Sequence, residues 1–524
     1  MSVELRRREF LTGAGAAAAA GVVPLHRALA IGGAGPAASG DLAYRSAGDL
    51  VAALAAKQIS SVELTDFAIA RIEALDKPIN AVVVHDFDRA RSAAKAADAA
   101  LAHGETRPLL GLPMTVKEAF NVVGLPTTWG NPKFEDWQPN FDSLAVTRLK
   151  AAGAVILGKT NVPFMLEDWQ SFNEIYGTTN NPWNLGRTPG GSSGGAAAAL
   201  AAGFVALELG SDFGGSLRCP AHFCGVFAHK PSLDLVPLRG AGPPHASALP
   251  VRGSLAVAGP MARSAADLAL ELGVLAGPDE LTEGVGYKLA LPPARHQDLK
   301  SFRALVIDTH PLCPTATSVQ AALDRLAEGL GRAGASVART TPLLPDPAET
   351  ARVYVELLAA GNAADLSADA YQHAETSAKS LPPDDESLAA ARERGLAFSH
   401  RDWISAIRVG GHIRQQWRDL FKAFDVVLCP PMPTPAFAHD HTKDQRMRRL
   451  DIDGRKVPYF EQIVWASTAT LLGLPATVAP IGHSGDGLPI GVQIIGPYLE
   501  DHTTIAFAGL VEREFGGFVP PPAG

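Results

Sequence analysis

Residues 189–218 read Pro189-Gly-Gly-Ser-Ser-Gly-Gly195, Ala196-Ala-Ala-Ala-Leu-Ala-Ala-Gly203, Phe204-Val-Ala-Leu-Glu-Leu209 and Gly210-Ser-Asp-Phe-Gly-Gly-Ser-Leu-Arg218. A glycine–serine loop opens into an alanine-rich helix over 196–202. An apolar strand over 205–209 follows and ends in a second glycine–serine loop. Working outward, the same alternation recurs. Ser60-Ser61-Val62-Glu63 is a capping box that starts a helix running to about Leu75. Asn80–His85 reads as a strand, 88–102 as a helix, Leu112–Val116 as a strand, Leu144–Ala152 as a helix and Val155–Leu157 as a buried strand. Strands alternating with helices predict an α/β protein whose sheet is covered on both faces.

Further along, 264–276 reads as a helix and 277–300 as irregular chain. Strand 303–308, helix 316–334 and strand 335–340 form a second α/β run. Helical segments over 347–373 and 400–423 flank a polar stretch, 374–399, read as a variable outer wall. Val426–Cys429 and Ile490–Ile495 return to strands. No 20–50-residue repeat occurs, and no stretch of the body has hinge composition, so one compact unit is expected.

The chain has 524 residues, of which 47% are hydrophobic and 19% charged, enough to bury a large core. Its net charge of −8, with no basic stripe, argues against a nucleic-acid binder. Four cysteines, Cys219, Cys224, Cys313 and Cys429, are too few for a disulfide framework.

The N-terminus reads as an address. Arg6-Arg7-Arg8-Glu9-Phe10-Leu11 precedes an uncharged run to Leu25, then His26, Arg27 and Ala28-Leu29-Ala30, a small-x-small cleavage pattern. The Arg7-Arg8-x-Phe-Leu string resembles a twin-arginine export signal. Residues 1–30 are therefore read as a signal peptide, 31–40 as a Gly/Ala/Pro linker and 41–524 as the catalytic body. The expected location is periplasmic, with the twin-arginine machinery as a partner. The competing readings are an unstructured or a membrane-anchored terminus; against the anchor, the apolar run falls short of the roughly 20 residues that span a bilayer.

Three other patterns fail on context. Gly153-Ala-Val-Ile-Leu-Gly-Lys-Thr160 spells a phosphate loop, yet Ala154–Leu157 belong in a strand and Pro163 stops any helix from Lys159. Gly191-Ser-Ser-Gly-Gly195 loosely matches a nucleophile elbow, but loop chemistry precedes it where a strand is needed. Cys219, His222, Cys224 and His229 are spaced too tightly for four tetrahedral zinc ligands and are read as buried packing. His439 and His441 are read as solvated loop residues.

The chemistry concentrates in three polar positions. Lys117 ends the apolar run Gly111-Leu-Pro-Met-Thr-Val-Lys117, where burial favours its neutral, proton-accepting form. Ser192 and Ser216 lie in glycine, where main-chain amides are unshielded. A serine nucleophile needs a base and an oxyanion site, and these segments supply both residue types. Taken singly, the lysine would be a surface cap and the loops plain turns.

Taken together, these segments resemble the amidase signature family of serine hydrolases. The likeness runs from about residue 41 to the C-terminus and is densest over Gly111–Ser232. It includes Gly158-Lys-Thr-Asn-Val-Pro163, Gly177-Thr-Thr-Asn-Asn-Pro-Trp183, both serine loops and Phe223-Cys-Gly-Val-Phe-Ala-His-Lys-Pro-Ser232. Weaker pieces are Asp425-Val-Val-Leu-Cys-Pro-Pro431 and Gly487-Leu-Pro-Ile-Gly-Val-Gln-Ile-Ile-Gly496. Lys117 lies 75 residues before Ser192, and Ser216 lies 24 after it.

The resemblance implies one large domain with a mixed, mostly parallel twisted sheet, no cofactor and no metal. It implies Ser216 as nucleophile, Ser192 behind a cis peptide bond as proton relay, and Lys117 as the ultimate base. Bringing a lysine pKa from about 10.4 to about 7.4 takes roughly 4 kcal/mol of differential environment. The amides of Phe213, Gly214, Gly215 and Ser216 are implied oxyanion donors. Ser193 supports the relay loop, Asp212 and Arg218 brace the nucleophile loop, and Leu166 lies near the substrate channel. Phe213 departs from the smaller or β-branched residue common in the family, which alters the acyl pocket. The expected substrate is a small-molecule amide cleaved through an acyl-enzyme. Alternatives are an amidotransferase A-type subunit, an esterase and a catalytically silent periplasmic binding protein. The residues leave open the acyl group and the oligomeric state, a homodimer included.

Overall fold

The capping pattern at Ser60 shows how local sequence becomes structure. Ser60 Oγ accepts from the Glu63 amide and Glu63 accepts from the Ser60 amide, which starts helix Ser61–Leu75. The computed structural model describes residues 42–246 and 255–522. The signal peptide and linker read in 1–30 and 31–40 lie outside the described residues.

The first strands are β1 (Val82–His85), β2 (Pro113–Lys117), β3 (Val155–Thr160), β4 (Phe172–Asn173), β5 (Gly177–Thr178), β6 (Leu207–Asp212), β7 (Phe227–Lys230) and β8 (Val257–Ala262). They continue as β9 (Arg303–Val306), β10 (Ser336–Ala338), β11 (Val426–Cys429), β12 (Arg449–Ile452), β13 (Arg455–Pro458), β14 (Ala476–His483) and β15 (Pro489–Ile495). Eleven of them form one sheet in the order β1-β3-β2-β6-β8-β7-β14-β15-β11-β9-β10.

The sheet is mixed, as expected, although its antiparallel neighbour pairs, six against four, outnumber the parallel ones that were expected to dominate. Its parallel pairs fall in two blocks, β3-β2-β6 and β11-β9-β10. Every pair between those blocks is antiparallel, as is the edge pair β1–β3. The blocks follow the helix-linked alternation visible in the sequence, whereas β14 and β15 are joined by a tight turn. Strand alternation sends Leu207 and Leu209 into one apolar layer with Leu268 and Leu272 of helix Ala265–Leu275. Ala196–Ala202 fill the opposite layer with Leu157 and Val478. Helices therefore cover both faces.

Gly158 shows why glycine is required in β3. At φ 152°, a Cβ there would lie 2.0 Å from the Val84 carbonyl oxygen on β1. The stretch 374–399, read as a variable outer wall, is largely helical. It holds the end of helix Ala368–Ser380 and helix Leu388–Leu396, the latter packed on Pro347–Asn362. Its buried positions, Leu388, Ala390, Ala391 and Gly395, are too small to make a visible apolar stripe.

Candidate active site

Strand β2 carries Lys117 into the interior, where it is fully buried. Its Nζ lies 2.7 Å from Ser192 Oγ, 2.9 Å from Ser211 Oγ and 3.4 Å from the Ser211 carbonyl oxygen. Burial lowers its pKa to about 7, against the opposing pull of Asp212 and Glu208. Glu208 stands opposite Thr115 in the β2–β6 register, and burial raises its carboxyl to about 8.

Beyond β6 the chain turns through residues 213–217 into helix Arg218–Cys224. Asp212 holds that turn, accepting from the amides of Gly215 at 2.9 Å and Leu217 at 3.0 Å. It also accepts from Arg218 Nε at 3.0 Å and Nη2 at 2.8 Å. Burial alone would raise the Asp212 pKa, but the Arg218 guanidinium holds it well below the usual carboxylate range. Arg218 reaches on to the Ala466 carbonyl, Gln493 Oε1 and Thr470 Oγ1.

Two outer donors orient the loop. The Tyr354 hydroxyl donates to the Phe213 carbonyl at 2.5 Å, and Trp169 Nε1 donates to the Gly214 carbonyl at 2.8 Å. In a planar trans peptide the N–H points opposite to the C=O, so Tyr354 turns the Gly214 amide away from itself. By the same rule Trp169 turns the Gly215 amide toward Asp212. Gly215 N–H is thus already engaged, which corrects its reading as an oxyanion donor. The amides of Phe213, Gly214 and Ser216 carry no protein acceptor among the described residues.

The Gly191–Ser192 peptide bond is cis. Ser193 ties the two serine loops together. Its amide donates to the Ser216 carbonyl at 3.2 Å, and its Oγ donates to the Ser211 carbonyl at 3.2 Å. Ser192 and Ser216 are both buried. No direct hydrogen bond joins their hydroxyls among the described residues, a separation common where such bonds tighten only around substrate. Leu166 makes no hydrogen bond with this cluster among the described residues and is half-buried in the turn Phe164–Leu166, with a left-handed φ of 64°. A cavity of about 480 Å³ lined by Val353, Glu356 and Val409 includes none of the three polar residues.

The patterns set aside on context have other partners. Lys159 lies inside β3, and its Nζ donates to the Pro126 carbonyl at 2.5 Å and Thr127 Oγ1 at 2.7 Å. His222 accepts at Nδ1 from the Gly491 amide, which leaves Nε2–H to donate to the Thr434 carbonyl. His229 joins Thr477 and Asp501. His439 corrects the solvated reading, being half-buried, whereas His441 is exposed as expected and stacks on Phe172 at 3.9 Å. Sequence reasoning missed Ser211, Tyr354 and Trp169. Ser211 lay in plain sight within the second loop, but no local rule marks a strand-end serine as a partner of a distant lysine.

Comparison with known proteins assigns the family and the fold. The Amidase family model matches residues 63–505. The chain is 34% identical over 505 residues to the A-type subunit of glutamyl-tRNA(Gln) amidotransferase from Anaeromyxobacter dehalogenans, covering 92% of this chain and 98% of that one. It is 35% identical over 486 residues to a Mycobacterium tuberculosis protein provisionally designated amidase AmiB2, covering 90% and 96%. The structure of a bacterial aryl acylamidase of the amidase signature family matches in fold, with a TM-score of 0.75 at 24% identity, covering 90% of this chain and 96% of that one. The chain belongs to the amidase signature family, whose members act as enzymes on amide C–N bonds.

Proposed function

We propose that the protein hydrolyses a small-molecule amide through Lys117, Ser192 and Ser216. The observation that carries this reading is the 2.7 Å contact of a buried, neutral-prone lysine with Ser192 Oγ, backbone-linked to the Ser216 loop. Lys117 in its amine form takes the Ser192 proton, Ser192 takes the Ser216 proton, and Ser216 Oγ attacks the carbonyl carbon. The oxygen that becomes negative is met by the free amides of Phe213, Gly214 and Ser216, each such donor being worth about 3 kcal/mol. The C–N bond then breaks, the nitrogen leaves with the proton returned by Ser192, and water hydrolyses the acyl-enzyme. No metal or cofactor takes part in these steps. Trp169 and Tyr354 hold the nucleophile loop, and Phe213 and Leu166 are the side chains assigned to the acyl pocket and substrate channel.

The test is a panel of aryl, aliphatic and peptide amides with matched esters, run beside Ser216→Ala. Hydrolysis by the native chain that vanishes in Ser216→Ala supports the reading, and robust hydrolysis by Ser216→Ala overturns it. A fluorophosphonate that labels nothing at Ser216 favours a silent binding protein. Faster ester turnover favours an esterase.

A second reading is an amidotransferase component, favoured by the near full-length match to the Anaeromyxobacter dehalogenans protein. The Arg7-Arg8 leader opposes it, because export to the periplasm separates the protein from charged tRNA. Export by the twin-arginine machinery is tested by fractionating a bacterial host that carries the native leader or Arg7→Lys with Arg8→Lys. Equal periplasmic recovery of both refutes that route.

A further inference from the structure

We infer that Ser211 is the positioning residue that aims the Lys117 lone pair at Ser192. The inference rests on the reading of Lys117 as the base. A neutral primary amine offers two N–H donors and one lone pair, and three oxygens surround Nζ. They are Ser192 Oγ at 2.7 Å, Ser211 Oγ at 2.9 Å and the Ser211 carbonyl at 3.4 Å. The carbonyl has no hydrogen, so it takes one N–H. When Ser211 Oγ takes the other, the remaining tetrahedral direction of the nitrogen faces Ser192, whose hydroxyl then donates to it. Were Ser192 instead to accept an N–H, no proton would pass from Ser192 to the lysine. One residue, supplying two acceptors, thus decides the direction of transfer.

Ser211 is held firmly enough to do this. Its backbone pairs with Ala258 across β6–β8, its carbonyl accepts from Ser193 Oγ at 3.2 Å, and its amide donates back to Ser193 Oγ at 3.4 Å. The charged groups that bear on the Lys117 amine are Asp212 and Glu208 on β6, neither of which a Ser211 substitution alters.

Loss of the hydroxyl has two consequences that separate positioning from packing. The amine loses the acceptor that orients it, so proton transfer slows. The ammonium loses one of three acceptors, so the amine form prevails at lower pH.

The experiment is fluorophosphonate labelling of Ser216 in the full chain, followed by mass spectrometry across pH 5–10, which needs no knowledge of the substrate. Ser211→Ala is expected to lower the plateau rate about 10- to 100-fold, the scale of one step of general-base assistance. Its acidic midpoint is expected about half a pH unit or more below that of the native chain. Ser211→Thr, which keeps the hydroxyl, restores both, and thermal unfolding confirms that each variant is folded. A Ser211→Ala plateau and midpoint equal to native overturn the inference. So does a lowered plateau with an unmoved midpoint that Ser211→Thr fails to restore. Labelling that persists in Ser216→Ala instead refutes the site reading itself, whatever Ser211 does.

Discussion

Lys117 and Lys230 are both fully buried, and burial brings both to a pKa of about 7. Their surroundings differ. Lys230 donates to the carbonyls of Pro231 and Leu474, each at 2.9 Å, which fastens the end of β7 to the chain entering β14. Carbonyls hold no proton to give, so this lysine is a clamp. Lys117 meets two hydroxyls, which exchange protons. A shifted pKa therefore marks burial, and the chemistry of the partners marks the base. Lys159, lowered by burial to about 8 against the pull of Glu118, belongs with the clamps despite its Thr127 contact, because its hydroxyl leads to no nucleophile.

The largest expected effect tests the end of the Lys117 chain. Ser216→Ala should reduce amide turnover by about 10⁵- to 10⁶-fold, the scale seen when a serine nucleophile is removed from such a unit. Lys117→Ala should cost about 10³-fold at pH 7 and less at pH 9–10, where hydroxide deprotonates Ser192 without lysine. The native kcat/KM should rise with pH through about 7, because the ammonium present below that pH accepts no proton. A flat profile from pH 5 to 9 would place Lys117 with the clamps.

Trp169→Phe removes the donor to the Gly214 carbonyl but keeps the ring. Turnover should fall about tenfold with KM within about twofold, since what is lost is alignment of the oxyanion amides and not substrate contact. Lys230→Met should have the smallest effect on activity, with kcat/KM within about threefold. Its signature is in stability. In the folded chain Lys230 titrates near 7, below its ordinary 10.5, so the unfolded chain binds more protons between those values. That difference makes native stability rise with pH across this window. Unfolding midpoints at pH 7 and pH 10 should rise less in Lys230→Met than in the native chain. Loss of catalysis in Lys230→Met, with folding intact, would break the distinction between clamp and base.

Much of this was legible residue by residue. The capping box at Ser60, the strand–helix alternation through 155–212 and the burial of 155–160 follow from local propensity and side-chain period. The central antiparallel strands were harder to see. β8 carries Gly259 and Pro260, and β14 carries Pro480 and Gly482, which read as turn punctuation. Inside the sheet these residues are tolerated for reasons of packing. A Cβ at Gly259, for example, would lie 2.2 Å from the His229 carbonyl.

At the site, residue types and their spacing of 75 and 24 residues singled out Lys117, Ser192 and Ser216 through the family resemblance, since each taken alone reads as a surface cap or a plain turn. Partner identity was beyond their reach. The pairing of Lys117 with Ser211 depends on the β2–β6 register across 94 residues, and the Trp169 bond to Gly214 spans 45. The Asp212 hold on the Gly215 amide is local in sequence, yet the loop conformation that creates it also needs Tyr354 from 141 residues away. Local chemistry names the groups able to react; only the folded chain, by bringing distant strands into contact, decides which hydroxyl a buried amine meets and which amides remain free.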